Sequence, residues 1–139
     1  MTSLTPTPIE PVYVVDTHAL IWYLLGDKKL SPTALSIFKA AERGETRLLL
    51  PAIVLAELYY ANVKNKWFPD YATVYQTLVT KGFFRFLPLD HKHILDFDQD
   101  FKVPEMHDRI IAGVARRIGV PLISSDPLIT AAAIVRIVW

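Results

Sequence analysis

Apolar residues in this chain come in short continuous runs that alternate with longer stretches of helical spacing. Val12 to Val15 is a run of the kind that forms a strand buried on both faces. Thr17 to Leu25 then reads as a helix stopped by Gly26. Ser31 and Pro32 supply an N-cap and a proline at the first helical position, and the helix they open carries Leu35, Phe38 and Ala41 toward the core until Gly44. Arg47 to Leu50 is a second strand. Pro51 opens the next helix, which fades in the polar segment Asn62 to Lys66. Pro69 opens another, in which Tyr71, Val74, Tyr75, Leu78 and Val79 recur at helical spacing up to Gly82. Phe84 to Leu89 is a third strand, His91 to Phe101 a short helix, and Pro104 starts a longer helix ending at Gly119. Pro121 to Ser124, Pro127 to Ala133 and Val135 to Val138 complete the series as strand, helix and strand.

Strands alternating with helices predict an α/β fold, a mainly parallel sheet with helices on both faces. No repeat or interdomain linker interrupts the pattern, so residues 12–139 are expected to form one domain. Residues 1–11, with Pro6, Pro8 and Pro11 among threonines, read as a flexible leader. In a parallel sheet of this kind ligands bind beyond the carboxyl ends of the strands.

Four carboxylates break the pattern where a charge is hard to excuse. Asp16 and Asp126 end apolar strand runs, Glu57 interrupts the apolar stretch Ala52 to Ala61, and Asp108 opens the apolar segment Arg109 to Ala115. Three of them have a bland explanation to set beside a functional one. Asp16 and Asp126 have the positions of helix N-caps, and Asp108 suits a first-turn acid favoured by the helix dipole. Glu57 resists such an account: its helical neighbours Ile53, Val54, Tyr60 and Ala61 offer no cation. A lone carboxylate seldom stays buried unpartnered, and four converging ones suit a hard cation, which usually signals phosphate chemistry.

The rest of the composition narrows the field. At 139 residues, 52% hydrophobic and 21% charged, the chain is expected to bury a sizeable core. A net charge of +1 gives little long-range attraction for a polyanion, so nucleic-acid binding needs a local basic patch. The absence of cysteine removes disulfides, thiolate metal sites and a cysteine nucleophile. No apolar run is long enough for a membrane span, and the N-terminus lacks the pattern of a signal peptide, so a soluble, cytoplasmic protein is expected. His18 and His107 flank two of the acids without zinc-site spacing; Asp98 and Asp100 read as surface; Ser124 and Ser125 are not in a nucleophile elbow.

Taken as an ordered set, Val14-Val15-Asp16-Thr17-His18-Ala19-Leu20-Ile21-Trp22, the helix around Glu57, His107-Asp108-Arg109-Ile110-Ile111-Ala112-Gly113-Val114-Ala115 and Leu122-Ile123-Ser124-Ser125-Asp126 resemble the PIN-domain family. Within it they are most similar to VapC-like toxins of toxin–antitoxin pairs. The resemblance spans Val12 to Trp139; the leader departs from the family's usual early first strand, without touching an acidic position. It implies a three-layer α/β/α sandwich with a parallel five-stranded sheet. It also implies a Mg²⁺- or Mn²⁺-dependent ribonuclease, an RNA substrate, a homodimer and a cognate antitoxin partner. On that resemblance Asp16, Glu57, Asp108 and Asp126 match the acidic positions. Asp16 and Asp108 would be primary metal ligands, with Asp126 binding directly or through water and Glu57 completing the shell or orienting the attacking water. Ser124 stands where many members carry threonine or serine, and Thr17 offers a hydroxyl beside Asp16.

Supporting contacts are expected from Lys28, Lys29, Arg43, Lys64, Lys66, Arg109 and Arg116 to phosphates, and from Tyr59, Tyr60 and Trp67 to bases or a partner. Trp22, Tyr23 and Trp67 are candidate dimer contacts. Two rival readings are a PIN-like module that binds RNA or protein without catalysis, and a receiver-type phosphoacceptor domain. The latter lacks its acidic pair at Asp16 and a lysine beyond Lys102.

Overall fold

A computed structural model describes residues 11–139; the expected leader lies, apart from Pro11, outside the described residues. Five parallel strands, β1 (Val12–Val15), β2 (Arg47–Pro51), β3 (Phe84–Leu87), β4 (Leu122–Ile123) and β5 (Ile137–Val138), form one sheet in the order β3-β2-β1-β4-β5. The connections are helical, as parallel pairing requires: α1 (Thr17–Leu25), α2 (Pro32–Glu42), α3 (Ala52–Asn65), α4 (Tyr71–Lys81), α5 (Met106–Ile118) and α6 (Pro127–Ala132). The result is the expected three-layer α/β/α sandwich. Its strand order also removes the receiver-type reading, whose sheet runs 2-1-3-4-5.

The chain builds outward from β1 to β3, then crosses back to place β4 on the other side of β1. Strand order therefore reverses between β1 and β4, where Val14 pairs with Leu122 and Val15 with Ile123. At such a switch point the connections leave in opposite directions and open a crevice at the carboxyl ends. Val14, Val15, Leu122 and Ile123 are fully buried beneath it, with Leu20, Phe38, Leu58, Leu78 and Ile111 supplying the core of the helical layers.

Element ends follow local chemistry. Ser31 caps α2 by accepting from the Ala34 N–H, and Asp70 caps α4 by accepting from Thr73, which places that start after Pro69. Gly119 adopts φ +81° and ends α5 in the left-handed region that glycine enters freely. The segment expected as a short helix from His91 to Phe101 is a 3₁₀ helix over His91–Asp96 followed by turns.

Several side chains sit elsewhere than periodicity predicts. Leu35 is exposed while Ala34 and Ile37 take the core side of α2, and on α4 only Val74 and Leu78 are buried, leaving Tyr75 and Val79 outside. Trp22 and Tyr23, expected as exposed dimer contacts, pack inward. Tyr23 stacks on Phe38 with ring centres 4.2 Å apart and donates its hydroxyl to Glu42 at 2.8 Å.

Asp100 overturns its expected surface placement: it is fully buried and takes a two-bond contact from Arg116, at 2.6 and 3.2 Å. Asp96 also meets Arg116 at 3.2 Å and Arg117 at 3.1 Å. These pairs tie the segment after β3 to the back of α5. Gly113 makes the approach possible, since a Cβ there would stand 2.7 Å from Asp100 Oδ2.

Candidate active site

The crevice at the β1–β4 switch point is a cleft of about 330 Å³ whose walls include Asp16, Glu57, Asp108 and Asp126, with Thr17, His18, Glu105 and His107. The fold thus gathers the four acids from four separate stretches of chain. Two larger concavities, about 670 Å³ each, lie at the α3–α4 turn and along α4, and Asp70 is their only carboxylate.

Each acid is held by the backbone around it. Asp16 follows β1 directly and caps α1, its Oδ1 accepting from the Ala19 N–H at 2.9 Å. The two explanations weighed for it therefore coexist: one oxygen caps, and the cap itself aims the residue into the cleft. Asp126 caps α6 in the same way, with Oδ1 accepting from Leu128 and Ile129, both at 2.9 Å. Ser124, fully buried, links the two. Its hydroxyl bonds the Asp16 carboxylate, and its Oγ accepts from the Asp126 N–H at 3.1 Å.

Glu57 does have a partner. Thr17 at the start of α1 donates to Glu57 Oε1 across 2.6 Å, fastening α3 to α1 at the cleft wall. Glu57 is half-buried rather than buried, so the expected unpaired interior glutamate is instead a rim carboxylate held by a neutral donor. Asp108 sits in the first turn of α5 and points into the cleft, as its helical face implied.

The electrostatics follow from this crowding. Burial pushes the Asp16 carboxyl above its ordinary range, against the Ser124 and Ala19 hydrogen bonds, with His18 lowering it and Asp126 adding to the rise. Burial, then repulsion from Asp126, Glu105, Glu57 and Asp16, pushes Asp108 up to about 6. One residue therefore senses every other carboxylate of the cleft.

Glu105 was not anticipated. It caps α5, with Oε2 accepting from the Asp108 N–H at 2.7 Å and Oε1 against His107 Nδ1 at 2.9 Å. Burial raises its carboxyl, but the N–H groups of Asp108 and His107 and the imidazole outweigh this and hold it below the usual range. Glutamate is an uncommon cap, so no capping signature marked it. His18 and His107, set aside for lack of zinc spacing, both line the cleft.

Three expected phosphate contacts are otherwise engaged. Arg109 donates to the Val103 carbonyl at 2.7 Å and lies over Phe97, Arg116 pairs with Asp100, and Arg43 with Glu45. Lys28, Lys29, Lys64 and Lys66 are exposed.

Among the described residues no three His, Asp or Glu side chains are arranged to enclose a metal ion unaided. That does not conflict with the donor set. Mg²⁺ typically keeps several waters and takes one or two carboxylates with substrate phosphate oxygens, so it asks for acids around an open cleft rather than a closed cage. A cation held there would relieve the repulsion borne by Asp108.

The family model described as PIN domain matches residues 13–134. No curated protein matches the chain significantly. Solved structures similar to it include VapBC2 from Rickettsia felis bound to a promoter DNA fragment, with 13% identity, 91% of this chain and 97% of that chain covered, and a TM-score of 0.64. The sarcin–ricin loop cleaving toxin VapC20 from Mycobacterium tuberculosis is 15% identical, with 87% and 95% covered and a TM-score of 0.64. FitAcB from Neisseria gonorrhoeae is 19% identical, with 90% and 95% covered and a TM-score of 0.59. At these identities the likeness is one of fold.

Proposed function

The chain belongs to the PIN-domain family, and from that premise we propose that it is a Mg²⁺- or Mn²⁺-dependent endoribonuclease whose active centre is the acidic cleft. The observation that carries the reading is the position of Asp108, whose charge is opposed at once by Asp126, Glu105, Glu57 and Asp16. The caps that Asp16, Asp126 and Glu105 make could be made by neutral residues without this mutual repulsion; an ion shared among the acids and a phosphate gives five carboxylates around one crevice a purpose.

Asp16 and Asp108 are the primary ligands in this proposal, with Asp126 reaching the ion directly or through water. Ser124 keeps Asp16 and Asp126 in mutual register, and Thr17 leaves Glu57 Oε2 free of the hydrogen bond made to Oε1. From there Glu57 completes the ligand shell or orients the water that attacks phosphorus. When bound, the cation would make water more acidic and offset charge on the leaving oxygen. Hydrolysis joins the water's oxygen to phosphorus, breaks one P–O ester bond, and balances the proton lost by the water with one gained by the departing oxygen, which leaves as a hydroxyl.

We further infer a cytoplasmic toxin of a VapBC-type pair, acting as a homodimer and restrained by an antitoxin, with residues 12–139 as one PIN-like domain. The fold's likeness to VapBC2 and FitAcB supports the toxin reading. Among the described residues no helix is long and apolar enough to cross a membrane. A PIN-like module that binds RNA or protein without cutting is the rival reading, and the presence of all four acids speaks against it.

The test is cleavage of structured RNA with Mg²⁺ or Mn²⁺, with EDTA, and by Asp16→Asn and Asp108→Ala. Metal-dependent cleavage lost in both variants is expected. Undiminished cleavage by Asp16→Asn, or RNA binding without any cleavage, would count decisively against it.

A further inference from the structure

Among the described residues the cleft walls hold carboxylates and two imidazoles but no lysine or arginine. Phosphates flanking a scissile bond must find cations outside it, and Arg43, Arg109 and Arg116 are already engaged. Helix α3 offers a continuation. From Glu57 the same helical stripe runs through Tyr60 and Ala61 to Lys64, the i, i+3, i+4 and i+7 positions. Ala61 still lines the cleft, so the stripe leaves the site without a break.

Along it the chemistry changes from acid to aromatic to cation. Tyr60 is 72% exposed, which removes the core-packing explanation for this ring. It is not loose, however: Tyr59 meets it edge-on at 5.3 Å and is itself braced by Tyr71 at 5.7 Å. A fixed ring with an open surface is a stacking platform, and an exposed lysine one turn further is suited to a phosphate. At 1.5 Å per residue, Lys64 lies on the order of 10 Å along the axis from Glu57, short enough for one strand to touch both.

We propose that Tyr60 and Lys64 position the substrate: a single-stranded segment of RNA leaving the cleft stacks a base on Tyr60 and sets a phosphate against Lys64. This rests on the ribonuclease reading and adds to it which side of the cleft the strand takes. Lys64, and the metal-dependent cleavage proposed at the other end of the stripe, favour a polyanion as its occupant; Tyr59 and Val63 are also exposed on this helix, which makes a contact between copies of the chain the outcome to test against.

The test is binding of a fluorescein-labelled single-stranded RNA in Mg²⁺, using Asp16→Asn protein to prevent cleavage, with steady-state cleavage measured in the otherwise unaltered chain. Tyr60→Ala is expected to weaken binding roughly fivefold to a hundredfold, and Tyr60→Phe to retain it. Lys64→Gln should lower the slope of log affinity against log salt by about 0.7. In cleavage both Tyr60→Ala and Lys64→Gln should raise KM and leave kcat nearly unchanged. Cleavage by the unaltered protein with Tyr60→Ala indifferent in both assays overturns the strip and spares the ribonuclease reading. A Tyr60→Ala loss that tracks a change in oligomeric state by sedimentation also overturns it, marking the face as a contact between copies. Absence of metal-dependent cleavage in the unaltered protein overturns both.

Discussion

Thr17 on α1 donates a 2.6 Å hydrogen bond to Glu57 on α3, joining residues 40 positions apart at the wall of the acidic cleft. The bond gives Glu57 a fixed place without neutralising it, because the donor is a hydroxyl and not a cation. A glutamate held this way by Oε1 keeps its other oxygen for a ligand or a water.

Replacing Thr17 by valine keeps the shape and removes the donor. Glu57 is only half-buried and can rehydrate, so the loss of stability should be about 1 kcal/mol, a fall of roughly 3–4 °C in Tm. Cleavage should fall further than stability does, by about tenfold in kcat, since the carboxylate becomes free to leave its position. Thr17→Ser, which restores the hydroxyl, should recover most of the rate. Equal losses in the two variants would assign the effect to packing.

Asp108 gives the metal-free protein an unusual pH dependence. Its carboxyl has an ordinary value of 3.8 and is pushed up to about 6 in the fold. Between those values the folded state binds more protons than the unfolded chain, so stability falls as pH rises through the window and stays lower above it. Burial of Asp16 acts in the same direction. A divalent cation should reverse the trend, raising Tm at about pH 7.5 and losing that effect below about pH 6 as Asp108 takes a proton. Asp108→Asn should raise the Tm of the metal-free protein at the higher pH while removing most of the metal response. Thermal melts across pH, with Mg²⁺ or EDTA, read both effects; a metal-free protein that grows steadily more stable from about pH 4 to 7 would contradict them.

Gly113 lies inside α5, where alanine ordinarily gains up to about 1 kcal/mol by helix propensity. Here the added Cβ meets Asp100 Oδ2 at 2.7 Å, and that carboxylate is buried and pinned by Arg116. Breaking the pair should turn the gain into a loss of about 2–3 kcal/mol, seen in urea unfolding. In an Asp100→Ala background the obstacle is gone, so Gly113→Ala should become neutral or stabilising there. The double-mutant cycle isolates the contact; additive effects would show that Gly113 matters for another reason.

How far the sequence could be read depended on whether a signal was local. Prolines and glycines punctuate the chain, a β-branched run marks β1 and a leucine run β2, so the element order and the strand-end placement of Asp16 and Asp126 were legible from neighbours alone. Side chains at the edge of an apolar stripe were not: Leu35, Tyr75 and Val79 share the spacing of core residues, and only the packing of α2 and α4 decides which edge is covered. Asp100 was misplaced because its partner Arg116 lies beyond helical spacing, and Glu57 looked unpartnered because Thr17 is on another helix. Glu105 escaped notice since it acts through a cap that glutamate seldom makes.

Ser124 provides the sharpest separation of charge from packing at the candidate site. Its buried hydroxyl bonds the Asp16 carboxylate and accepts from the Asp126 N–H at 3.1 Å, so one group serves the acids at two adjacent strand ends. Ser124→Ala removes one of the two hydrogen bonds that offset the burial of Asp16, whose carboxyl should then rise further. Since the proposed chemistry needs Asp16 ionised, the acid limb of the pH–rate profile should move to higher pH, and activity lost at low pH should return in part at high pH. Stability should fall by about 1–2 kcal/mol, because a buried donor and acceptor lose their partner together. Ser124→Thr keeps the hydroxyl and should keep the acid limb where it is, whatever its extra methyl does to Tm. A Ser124→Ala protein whose activity drops by the same factor at every pH would place the hydroxyl's role in packing, and the charge of Asp16 would then be set by burial, the Ala19 N–H, His18 and Asp126.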